Sequence, residues 1–81
     1  MLTDAKIANL KPQPEKRVRK YDAGGLYVEI APSGRRWWRW KYRFAGKEKR
    51  ISLGVYPEVS LKEARDLRDD ARRLLRDGID P

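Results

Sequence analysis

Residues 35–44 read RRWWRWKYRF and switch chemistry at every second position. Trp38, Trp40, Tyr42 and Phe44 fall on one side of an extended chain, and Trp37, Arg39, Lys41 and Arg43 on the other. Strand side chains alternate between faces with a period of two. A helix would scatter the four large rings around its circumference. The segment therefore predicts a half-buried strand over about 36–45, with an aromatic face that must be covered and a cationic face that stays in water.

Its neighbours supply a sheet and a cover. LYVEI at 26–30 sets Leu26, Val28 and Ile30 on one face and Tyr27 and Glu29 on the other. VRKYD at 18–22 predicts a short edge strand, and residues 48–53 a strand with Ile51 and Leu53 inward and Arg50 and Ser52 outward. DAGG, APSG and Gly46-Lys47 separate these segments, so an antiparallel meander is the economical topology. GVYPEV at 54–59 reads as leaving the sheet. Ser60 and Glu63 then form a capping box, with Val59 and Ala64 in the staple positions. Leu61, Ala64, Leu67, Ala71, Leu74 and Leu75 recur at helical spacing, which predicts a helix over 61–77 stopped by Gly78. The expected packing sets Leu67, Ala71 and Leu74 against Trp38, Trp40 and Tyr42. Thr3 caps a short amino-terminal helix carrying Leu2, Ile7 and Leu10, and Pro12 and Pro14 make the following segment extended. The expected fold is α+β: a small antiparallel three- to four-stranded sheet with a long C-terminal helix on one face and a short N-terminal helix. Residues 1–81 form one domain, and 78–81 are expected to begin a linker.

The positive charge is concentrated rather than spread. The formal net charge is +8. Residues 35–50 hold eight basic side chains and one acidic, whereas 60–77 hold six basic and five acidic. Like charges side by side on a sheet cost stability unless something neutralises them. A polyanion-binding surface explains Arg39, Lys41, Arg43 and Arg50 as a group better than a solvated face does. The core explains Trp38, Trp40, Tyr42 and Phe44. Trp37 has two readings: it stacks on a base or sugar, or it covers the stems of Arg35 and Arg39. Tyr27 is expected beside it. A single-strand binder displays several rings on its open face. This face displays mainly cations, which favours duplex DNA, whose major groove admits a sheet or ribbon.

Other classes fit less well. The chain has no cysteine or histidine, which removes disulfides, thiolate metal sites and the usual general base. Its glycines lack the spacing of a phosphate-binding loop. Asp66, Asp69 and Asp70 alternate with Arg65, Arg68, Arg72 and Arg73, as on an ion-paired surface. No cofactor is expected. No apolar run approaches the roughly 20 residues that cross a membrane. A protein-interaction module with an acidic partner is the competing class; salt-dependent retention on duplex DNA separates the two.

GGLY at 24–27, SGRRWWRWKYRF at 33–44 and LGVYPEVSLKEAR at 53–65 together resemble the amino-terminal arm-type DNA-binding domain of prophage and genomic-island integrases, in the tyrosine recombinase family. The opening LTDAKIANLKP fits as well. The resemblance implies a fragment of a longer integrase that enters the major groove of arm-site DNA with its sheet. It implies double-stranded DNA and other integrase subunits as partners, a bacterial cytoplasmic location and no membrane association. It places DNA contact on Arg39, Lys41 and Arg43, with Arg35, Arg36, Lys47 and Arg50 flanking; Trp37 and Tyr27 complete the expected surface. The strand-exchange chemistry of that family needs an Arg/His/Lys cluster and a nucleophilic tyrosine. No such constellation is expected in this segment.

Overall fold

The computed structural model describes residues 1–81. The elements are α1 (Asp4–Ala8), β1 (Val18–Tyr21), β2 (Leu26–Ile30), β3 (Arg36–Phe44), β4 (Lys47–Tyr56) and α2 (Leu61–Arg76). The four strands form one antiparallel sheet in the order β1-β2-β3-β4. This is the expected meander, with α2 across one face.

The alternation of β3 sorts its side chains as its sequence requires. Trp38, Trp40 and Tyr42 are buried together with Leu26, Val28 and Ile30 of β2. The core divides in two. Leu2, Ile7, Leu26, Val28, Trp38, Leu61 and Ala64 make the larger part. Trp40, Tyr42 and Ala71 make the smaller, flanked by Phe44, Ile51 and Leu75. Both buried indoles find acceptors: Trp38 Nε1 donates to the Val59 carbonyl and Trp40 Nε1 to the Gly24 carbonyl, each at 2.8 Å. The rings therefore fill the core and also join the sheet to the loops around it, as buried indole N–H groups require partners.

Strand β4 runs three residues beyond its predicted end. Trp38 pairs with Gly54 while Arg39 pairs with Ser52, so Leu53 is an extra residue in a β-bulge. The bulge accounts for the extension. Gly54 has φ +121°, and a Cβ there would come within 2.4 Å of Val59 Cγ2. A glycine required for a bulge looks, in sequence, like the end of a strand.

Helix α2 starts where its box predicts, with Ser60 Oγ accepting from the Glu63 amide at 3.1 Å. It stops in a Schellman arrangement: Gly78, at φ +80°, donates to Leu75 O and Ile79 donates to Leu74 O. Its rotation differs from expectation. Leu61, Ala64 and Ala71 face the sheet, while Leu67 and Leu74 are 39% and 42% exposed. The helix is rolled so that its Arg65 side faces the β1–β2 turn, where two of its arginines are tied down. Arg65 binds Asp22 through both ends of its guanidinium at 2.9 Å, and Arg68 donates to the Ala23 carbonyl at 2.9 Å. Their side chains take the flank that an apolar stripe alone would assign to leucine. Residues 78–81 turn back toward the sheet, where Asp80 accepts from Tyr42 and pairs with Lys49.

Candidate nucleic-acid interface

The face of the sheet away from α2 is open. Its strands contribute Arg19 and Tyr21 from β1, Tyr27 and Glu29 from β2, Trp37, Arg39, Lys41 and Arg43 from β3, and Glu48, Arg50 and Ser52 from β4. Arg17 and Arg35 flank them, with guanidinium carbons 5.3 and 5.5 Å from the Trp37 ring. Cations thus outnumber carboxylates heavily on this surface.

The expected site residues are not all together. Arg39, Lys41, Arg43 and Arg50 share the open face with Tyr27 and Trp37. Arg36 alternates to the helix side, where its Nη2 donates to the Leu10 carbonyl at 2.9 Å and pins the amino-terminal segment. Lys47 pairs with Phe44 at the hairpin tip, in register with the helix-side residues. Trp37 sits opposite Glu29, and Tyr27 opposite Arg39, so the two rings are not cross-strand neighbours as expected.

Two residues of the open face carry more structure than their sequence suggests. Tyr27 is only 1% exposed, roofed by the Tyr21 ring (centroids 5.1 Å apart) and by the Arg19 guanidinium at 5.7 Å. Glu29 is equally buried, although no helix covers it. Its Oε1 accepts from Arg19 Nε at 3.1 Å and its Oε2 from Arg17 Nη1 at 3.2 Å, while Arg39 Nε lies 3.5 Å from Oε2. The hydrogen bond to Glu29 holds Arg19 more firmly protonated than a free arginine. Toward the other end of β3, Lys41 pairs with Glu48 at 3.0 Å. That hydrogen bond, reinforced by the charges of Lys41, Arg43 and Arg50, lowers the Glu48 carboxyl below its ordinary range. Arg17 and Arg19 are not among the residues that the sequence pattern singles out. Arg17 follows a proline-broken segment with no periodicity, and Arg19 belongs to a four-residue strand. The one signal that points to them is Glu29, an acidic residue at an outward position between two basic strands.

The arm DNA-binding domain family matches residues 2–81. The chain belongs to that family. It is 43% identical to the integrase of Enterobacteria phage P4 across 99% of its own length and 18% of that protein. It is also 43% identical to the prophage integrase IntS of Escherichia coli (strain K12), across all of its length and 21% of that protein. The chain thus spans about a fifth of the relatives it matches and corresponds to their arm-binding domain. No helix of the arm-binding domain is long and apolar enough to cross a membrane.

Proposed function

We propose that the open face of the sheet binds duplex DNA and supplies arm-site recognition to a site-specific recombinase, the segment itself performing no strand exchange. The observation that carries this reading is the projection of Arg39, Lys41 and Arg43 from one strand, on the face that α2 leaves uncovered. A ribbon of cations on strands fits the major groove, about 12 Å wide. Phosphate contacts would supply most of the affinity and position the sheet, and base edges would supply sequence preference. The partners on this reading are double-stranded DNA and other integrase subunits, within the bacterial cytoplasm.

The test is duplex affinity at several salt concentrations for the parent and for a triple Arg39→Ala, Lys41→Ala, Arg43→Ala variant. These side chains lie outside both core clusters, so the variant is expected to fold, with circular dichroism as the check. Removing one phosphate-binding cation is expected to lower the salt slope by roughly one. A folded triple variant with unchanged affinity and slope would end the sheet-face reading. Retention on an acidic protein with none on DNA would favour an interaction module.

A further inference from the structure

A carboxylate in the middle of a phosphate-binding surface is electrostatically adverse. Glu29 is nevertheless there, with its side chain 2% exposed. We infer that Glu29 is a positioning residue that sets sequence discrimination by fixing the guanidiniums of Arg19 and Arg39. This rests on the proposed DNA-binding role of the same face.

The geometry supports it in three ways. Arg17 and Arg19, at the start of β1, and Arg39, from β3, converge on one carboxylate. Arg19 and Arg39 are both approached by Glu29 at Nε, the stem side of the guanidinium. Arg39 makes no side-chain hydrogen bond within the protein: its Nε is buried without a hydrogen-bond partner and is held by charge alone, 3.5 Å from Glu29 Oε2, and its terminal nitrogens are left free. A guanidinium held at Nε keeps its terminal pair free, and that pair forms the fork that matches O6 and N7 of guanine. The ring contacts restrain the same set from the side: Arg19 lies over Tyr27 and Arg17 over Trp37. By contrast Arg43 and Arg50 have no direct carboxylate partner and suit phosphate, which tolerates a mobile cation.

The two effects of Glu29 have opposite signs, which makes the inference testable. Removing the charge favours DNA binding of any sequence, and releasing the arginines impairs discrimination. The experiment selects bound members from a randomised duplex pool with the parent, with Glu29→Gln and with Arg39→Lys, and measures affinity for one mixed-sequence duplex alongside. Glu29→Gln is expected to bind the mixed duplex as tightly as the parent or tighter, while enrichment of the preferred sequence falls roughly tenfold. Arg39→Lys keeps the charge and loses the fork, and is expected to lose the same enriched positions. In the free protein, the Nε–H signals of Arg19 and Arg39 are expected to be ordered in the parent and averaged in Glu29→Gln. An enrichment profile unchanged in Glu29→Gln, with the parent binding DNA normally, would overturn the positioning role and leave the DNA-binding reading standing. Should Glu29→Gln fail to fold, Arg39→Lys and the parent's own Nε–H signals decide the matter, and freely rotating guanidiniums in the parent overturn it. A parent that binds no duplex refutes the DNA-binding reading itself.

Discussion

Asp22 and Glu29 are both carboxylates with almost no exposed side-chain surface, and both gather arginines. They differ in what those arginines have left to do. At Asp22 the donors are consumed inside the protein. Arg65 also reaches the Leu2 carbonyl, Arg68 the Ala23 carbonyl, and the Leu2 amide donates to Asp22 Oδ1 at 2.8 Å. That cluster locks α2, the β1–β2 turn and the amino terminus together. At Glu29 the arginine side chains are 29–55% exposed, and Arg19 and Arg39 meet the carboxylate through Nε rather than through their terminal nitrogens. The same ion chemistry closes a structure in one place and holds groups ready in the other. What separates the two cases is whether the guanidiniums keep free donors.

Substitution at the two carboxylates should therefore differ in magnitude. Asp22→Asn is expected to cost most, about 3–5 kcal/mol, because it leaves two partly buried arginines without their shared counter-charge; chemical denaturation measures it. The hydrogen bond from Arg65 holds the Asp22 carboxyl below its usual range. A depressed folded-state value means stability that is present above the unfolded value near 3.9 and lost as pH falls through the folded one. Parent and Asp22→Asn stabilities should therefore converge on acidification below about pH 4. Glu29→Gln is expected to cost less, on the order of 1–2 kcal/mol, since its half-exposed partners can rehydrate. Equal losses at the two sites would erase the distinction between them. Leu67→Ala is expected to change stability least, by under about 1 kcal/mol, because Leu67 stands outside both core clusters. A core-sized loss there would mean that α2 sits in the rotation its apolar stripe alone predicts.

That stripe shows where sequence reading succeeds and where it stops. The period of β3, the Ser60–Glu63 cap and the Gly78 stop are local patterns, and each appears in the fold at the predicted residues. The roll of α2 is set by Asp22, some 40 residues away in sequence, and no periodicity within the helix encodes it. The open face follows the same rule. Its cations were legible from alternation in one strand. The burial of Tyr27 and Glu29 depends on arginines arriving from β1 and from the segment before it. Arg36 illustrates the remaining ambiguity: parity puts it on the helix side, while its charge and its neighbour Arg35 suggest the other.

The bulge at Leu53 bears on how such a domain can change in length over evolution. Strand β4 has a pairing partner on one side only, so an extra residue there bends outward without disturbing a second ladder. Leu53 is accommodated in this way, and it packs against both parts of the core. Strand β3 has partners on both sides, and its two faces have opposite chemistries. A single inserted or deleted residue within it would turn every ring beyond that point toward water and every cation toward the core. Insertions and deletions are therefore expected to be tolerated in β4 and the hairpin tips, and not in β3 between Arg36 and Phe44.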